Sequence, residues 1–179
     1  METSLLLLVC SLLARSILAA DDTPVPPEVQ KLAESMLTAF KASDDAALKA
    51  CWHSPEVTAK VKAAEATKEG EDPAKEEEKE IKKQTRNLDV TAARAEQTRA
   101  LISKRFGELS QLSLTVVELN VDEGAPPERP RYDNVRICVR TADGTQLELE
   151  IDDAVQIDGV WKFQGRIDDE ITVKLPDVD

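Results

Sequence analysis

Residues 132–167 read YDNVRICVRTADGTQLELEIDDAVQIDGVWKFQGRI, and this stretch decides the fold. Apolar residues fall at Val135, Ile137 and Val139, then at Leu147, Leu149 and Ile151, then at Val155, Trp161 and Phe163. All are odd-numbered, and their even-numbered neighbours are mostly polar. A period of two marks a half-buried strand, because successive side chains leave a strand on opposite faces. Asp143-Gly144 and Asp158-Gly159 divide the block into the three strands of an antiparallel meander. With three-residue loops at Ala142-Asp143-Gly144 and Ile157-Asp158-Gly159, each with Gly in the left-handed position, odd residues pair with odd residues across both turns. One face is then apolar. The other carries Arg136, Cys138, Arg140, Glu148 and Glu150, with Arg136 opposite Glu150, Arg140 diagonal to Glu148, and Asp153 opposite Phe163.

Upstream, residues 112–121 are rich in Leu, Val and Thr, and the apolar parity switches near Val116-Val117, which predicts a strand with a bulge there. The Pro-rich stretch 124–130 is a loop. Further upstream the period becomes helical. Val29, Leu32, Ala33, Met36, Leu37 and Phe40 share one face of a first helix that follows Pro26-Pro27. Ser43 is placed to cap a short second helix carrying Ala47, Leu48, Cys51 and Trp52, which ends at Ser54-Pro55. The segment 56–99 is a charged helical insertion dominated at first by Lys, Glu and Ala, interrupted by a turn at Gly70-Glu71-Asp72-Pro73. Opposite charges at helical spacing, Glu76 to Glu78 against Lys82 and Lys83, suit a solvent-exposed helix. Ile81, Leu88, Ala95, Ile102 and Leu109 fall seven apart, but Thr85, Ala92, Arg99 and Phe106 leave the seam half formed. That pattern predicts a helix packed at its C-terminal half rather than a coiled coil.

At the N-terminus, an apolar run from Leu5 to Leu18 closes on Ala19-Ala20 before Asp21-Asp22, the pattern of a signal peptide over residues 1–20. Cys10 follows Leu7-Leu8-Val9, and Val9 stands where a lipoprotein box wants a small residue. The chain is expected in the secreted or periplasmic space of a bacterial envelope after the leader is removed, without stable membrane insertion. Residues 21–28 form an extended lead-in, and residues 29–175 make a single α+β domain. The formal charge of −12 repels phosphate backbones, so nucleic acid is not an expected partner. Cys51 lies on a helix stripe that must cover the apolar sheet face while Cys138 lies on the polar face, so the sheet separates them and an internal disulfide is not expected.

Three segments carry a family resemblance: Ala39-Phe40-Lys41 at the end of the first helix, Asp44 to Leu48 running into Cys51-Trp52-His53-Ser54-Pro55, and the closing Asp158-Gly159-Val160-Trp161-Lys162-Phe163. Together they resemble the nuclear transport factor 2-like (SnoaL-like, cystatin-like) superfamily. The resemblance covers about Val29 to Pro55 and Leu112 to Ile167. It implies N-terminal helices packed as a cone on one face of a curved antiparallel sheet; the charged segment 56–99 departs from the family pattern as an insertion longer than that fold needs there. It also implies a pocket in the cone, for which Phe40, Trp52, Trp161 and Phe163 are the candidate lining. Enzymes of that superfamily place an Asp or His base and a Tyr or Asp donor inside the cone, and the corresponding candidates are His53, Tyr132 and Asp153.

Each candidate has a plainer role beside the functional one. His53 is the single histidine and can serve as a general base or a pocket donor, or it can close the second helix at its negative C-terminal end. Asp153 would be a clue if it faced an apolar cavity, where its pKa would rise, and is otherwise a solvated strand end. Asp152-Asp153 and Asp168-Asp169-Glu170 match no calcium-loop spacing and read as an acidic sheet edge. No phosphate-binding glycine loop, Cys-x-x-Cys, His-Glu-x-x-His or Gly-x-Ser-x-Gly is present, and no metal or cofactor is expected. The leading expectation is a non-catalytic domain that binds a small apolar ligand or a partner protein. A homodimer through the Arg136/Cys138/Glu148 face is one form of partner. The alternatives are a small isomerase, cyclase or dehydratase-like enzyme, and an adaptor working through 56–99.

Overall fold

The structure, a computed structural model, describes residues 24–70, 72–168 and 172–174. The leader 1–20 with Cys10, and Asp169 and Glu170 of the acidic edge, lie outside the described residues.

Helix α1, Pro27–Ala42, buries Val29, Leu32, Ala33, Met36, Leu37 and Phe40, as its periodicity predicts. It ends at Ser43 in the left-handed region (φ 54°), with Asp44 N–H returning to the Ala39 carbonyl at 3.0 Å. Ser43 therefore closes α1 rather than opening the next helix. The cap of α2, Asp45–Lys49, is Asp44, whose carboxylate accepts the Ala47 N–H at 2.9 Å. Helix α3, Pro55–Glu69, is capped by Ser54 and stops at Gly70 (φ 80°). Asp72 then accepts N–H bonds from Ala74 and Lys75 and starts α4, Pro73–Phe106, where the sequence places that turn. The two helices form an antiparallel hairpin, with Ala59, Ala63 and Ala66 of α3 buried. In the C-terminal half of α4, Ala95 and Ile102 enter the main core.

A short 3-10 turn, Leu109–Gln111, leads into β1, Ser113–Val121. The sheet continues with β2, Arg131–Arg140, β3, Gln146–Ile157, and β4, Val160–Ile167, paired antiparallel in chain order. Strand β5, Thr172–Lys174, pairs with the first residues of β3. The expected α+β architecture is thus observed, with helices covering one face of a curved antiparallel sheet. The register of β1 shifts between Leu114 and Val116, one residue before the expected bulge.

The β2–β3 register is as read: Arg136 faces Glu150, and Thr141 N–H bonds the Thr145 carbonyl at 2.9 Å around the three-residue loop. The β3–β4 register differs. Ile157 pairs with Val160 across a two-residue turn, with Asp158 (φ 51°) and Gly159 (φ 76°) both left-handed as that tight turn requires. Phe163 therefore faces Ala154, and Asp153 faces Gln164 rather than Phe163. Simple alternation fails here because the sheet bends. Asn134 (φ 49°), Asp152 and Gly165 (φ 82°) lie along one line across β2, β3 and β4, and the β3–β4 register shifts there. Before the bend the core takes odd residues, Val135, Leu149 and Ile151. After it the core takes Ala154 and Phe163, and Val155 and Ile157 turn to the other side.

The second face is less solvated than its composition suggests: Cys138 is fully buried, and Glu148 is buried beside it with Oε1 3.9 Å from the thiol. Cys51 and Cys138 are both thiols rather than halves of a disulfide, as their separation by the sheet implies. Among the described residues no helix is long and apolar enough to cross a membrane.

Candidate ligand cleft

Three of the four aromatic pocket candidates, Phe40, Trp52 and Phe163, are core residues. Trp52 and Phe163 meet at 5.2 Å between ring centroids, and their backbones form a bridge in which Phe163 N–H reaches the Cys51 carbonyl and His53 N–H the Phe163 carbonyl. Trp161 is half-buried and stacks on Tyr132 at 5.1 Å. His53 is buried with Nε2 3.0 Å from the Val155 carbonyl, and burial holds its pKa below the ordinary value, so the neutral ring donates that bond. The geometry makes it a fastener between the 51–53 segment and β3. Burial also raises the Tyr132 phenol. These two do not converge with Asp153, which lies in the wall of a separate cleft.

That cleft, about 510 Å³, opens between the α3–α4 hairpin, the 122–130 loop and the bent ends of β2, β3 and β4. It exists because the bend turns the far end of β3 away from the main core, so that Val155 and Asp153 face the hairpin. Its lining is predominantly polar, without an aromatic side chain. Side-chain exposure is 4% for Glu80 and 17% for Asp153, against 61% for Lys83 and 45% for Lys62. Glu80 and Asp153 are thus enclosed in the wall, each with a cation beside it, Lys83 and Arg131, while Arg129 and Asp122 are equally enclosed at 27% and Asp152 is exposed. Gln84, itself buried, donates to Glu80 at 2.6 Å. The Thr58 hydroxyl is buried in the wall without a hydrogen-bond partner among the described residues.

Arg131 organises the sheet side. Its guanidinium lies 3.0 Å from Asp153, 2.9 Å from Asp133 and 3.8 Å from Asp122, one cation among three carboxylates. Burial pushes the Asp153 carboxyl up to about 6; Arg131 opposes the rise and the facing Asp133 adds to it. At the hairpin side Arg129 pairs with Glu65, whose pKa is lowered because Arg129 and Lys62 outweigh its partial burial. A half-buried carboxyl that exchanges its proton near neutrality, beside amide and hydroxyl groups, can bind a charged ligand or exchange a proton with one. Among the described residues no three His, Cys, Asp or Glu side chains are grouped to hold a metal ion.

Sequence reasoning singled out Asp153 and missed Thr58, Glu80 and Gln84. A signal was present: Glu80, Gln84, Asn87 and Thr91 recur at helical spacing, a polar stripe that the flanking charges conceal. No protein-family model matches the chain, and neither curated proteins nor solved structures match it.

Proposed function

We propose that this chain is an exported, non-catalytic binding domain of the nuclear transport factor 2-like type that holds a small polar ligand in the cleft. The helices on a bent antiparallel sheet, with the cleft where the bend leaves β3 uncovered, support the family reading. The apolar run ahead of Asp21 supports export. The observation that carries the binding reading is the inner wall itself: Thr58, Glu80 and Gln84 keep polar groups buried against an open cleft. Glu80 and Gln84 bond one another, whereas the Thr58 hydroxyl is buried without a partner among the described residues, and an unpaired buried hydroxyl is costly. The same wall moves the expected ligand from apolar to polar.

Amide chemical-shift mapping with a panel of charged, neutral polar and apolar small molecules tests this. Shifts for polar members at Thr58, Gln84, Asp153 and Gln164 are expected. Binding of apolar members alone, or shifts confined to other surfaces, would overturn it. The mass of the mature N-terminus tests export, and an intact Met1 would refute it.

A second reading has its own support in Asp153. A carboxyl near 6 is matched to general acid and base work close to neutral pH. In that case Asp153→Asn retains binding of the molecule found by the mapping and loses its conversion. Binding without any conversion by the wild-type protein discards this reading.

A further inference from the structure

The sheet has two outer strands, and the chain covers only one of them. On β4, Phe163 exchanges backbone bonds with Cys51 and His53, and Arg94 Nη1 donates to the Ile167 carbonyl at 2.6 Å. Among the described residues β1 pairs with β2 alone, and no hydrogen bond reaches Val117, Leu119 or Val121 from any other element. Asp122 N–H bonds the Arg131 carbonyl at 3.2 Å, so the alternation of a strand turns the backbone N–H and C=O groups of Val117, Leu119 and Val121 away from β2. We propose that this edge of β1 takes an extended, basic segment of a partner protein as an added strand.

Edge strands are ordinarily blunted by Lys, Pro, bulges or a covering element. β1 contains no Lys, Arg or Pro. Its own bulge, between Leu114 and Val116, lies near its start; the second register shift adds a residue to β2, where Asn134 is left-handed, so β1 runs unbroken from Val116 to Val121. Both of those valines expose their side chains. Charge then selects the occupant. Residues 107–128 hold five Asp and Glu and no Lys or Arg. Glu118 sits half-exposed in the middle of the edge, 3.4 Å from Arg136, while Glu108 and Glu123 beyond its two ends have no cation partner among the described residues. A second copy would set the same acidic run against itself, with a formal charge of −12 on each chain, whereas a basic segment meets opposite charge along the whole edge. Val116 and Glu118 share the face that carries Cys138 and Arg136, and Val117 and Leu119 point to the core face. The fitting segment therefore alternates, with Lys or Arg on one face and apolar residues on the other; a Lys stem covers Val116 while its ammonium group reaches Glu118.

The test uses the mature chain and three peptides: acetyl-Thr-Lys-Val-Lys-Val-Lys-Thr-amide, the same peptide with Glu in place of Lys, and a copy of the first methylated on every backbone nitrogen, which keeps the charges but has no N–H to donate. The first peptide is expected to bind and to slow amide exchange at Val117, Leu119 and Val121 by about tenfold or more, leaving the Asp122 amide, already bonded to β2, unchanged. The Glu and N-methyl peptides should not bind. Glu118→Gln should weaken the first peptide by about threefold. Val121→Pro removes one outward N–H, leaves the β2 ladder its bonds, and should weaken the peptide by about tenfold. The N-methyl peptide asks the same question without altering the protein, should Val121→Pro not fold. Equal binding of the N-methyl or Glu peptide, protection confined to other amides, or no binding of the first peptide would overturn the proposal. A concentration-dependent dimer that protects the same three amides without peptide would also overturn it, and would give the edge to a second copy.

Discussion

Gly165 lies directly against Asp152 across the β3–β4 pair, so closely that a Cβ at Gly165 would sit 2.3 Å from Asp152 Oδ2 and 2.5 Å from Asp152 Cβ. The same carboxylate accepts the Arg166 N–H at 2.8 Å, fastening the strand just past the bend. With φ at 82°, Gly165 is also in a region that side chains rarely adopt. Gly165→Ala is expected to destabilise the fold by about 2–4 kcal/mol, from left-handed strain plus overlap. Chemical denaturation measures it. Adding Asp152→Ala should not restore stability, because the overlap includes Asp152 Cβ; full recovery in the double variant would show that only the carboxylate clash matters.

The sequence made the helices, the turn at residues 70–73 and the β2–β3 register legible, because capping residues, alternation and one Gly-containing loop all point the same way. It did not show the bend. Asn134 and Gly165 are single residues in long strands, and their positive φ values follow from tertiary packing that no local pattern records. The pairing of Phe163 with Ala154 and of Asp153 with Gln164 follows from the two-residue turn at Asp158-Gly159, and the change of face along β3 follows from the bend, which breaks any alternation carried through it. The cleft was hidden for a related reason: its walls come from α3, α4 and three strand ends, and only the fold brings them together.

Asp153 sets a pH dependence with a definite sign. Its folded pKa of about 6 lies above the ordinary 3.8, so the folded state holds the proton more tightly. The stability from this group is complete below about 3.8 and is lost as pH rises through about 6. The facing groups are Arg131 and Asp133 on β2, with Asp122 on the far side of the guanidinium. Denaturation of wild type and Asp153→Asn from pH 4 to 8 should show the variant gaining relative stability with rising pH, by up to about 3 kcal/mol. A difference that stays flat, or runs the other way, would mean Arg131 dominates and the carboxyl is ionised throughout.

Cys138 reports on whether the second sheet face is open, and Cys51, in the main core, is its reference. Both are buried, which keeps a reagent out, and burial raises the Cys51 thiol, so Cys51 supplies little thiolate at neutral pH. Labelling with a bulky disulfide reagent should therefore follow global unfolding, with native-state modification slower by about a thousandfold or more than in denaturant, as expected for a fold stable by several kcal/mol. Rapid native labelling of Cys138 would show that the face carrying Arg136 and Glu148 opens, and would support a homodimer through that face. Cys51→Ser and Cys138→Ser variants assign the signal.

The hairpin formed by α3 and α4 allows fold and function to be separated, because its outer half builds the cleft wall while Ala95 and Ile102 in the second half of α4 belong to the main core. Deleting residues 63–84 removes Glu80, Lys83 and Gln84 together. It also removes Ala63 and Ala66, whose burial depends on the hairpin. The sheet and its core should persist, since the β2–β3 ladder and the packing of α1 lie outside the deletion. The expected result is a cooperative thermal transition with retained near-ultraviolet signal from Trp52 and Trp161, and loss of small-molecule binding in the cleft. Retained binding would place the ligand elsewhere. If the shortened chain folds but instead loses capture of a macromolecular partner while small molecules leave the wild type unchanged, the hairpin acts as an adaptor and its polar inner wall serves a protein surface.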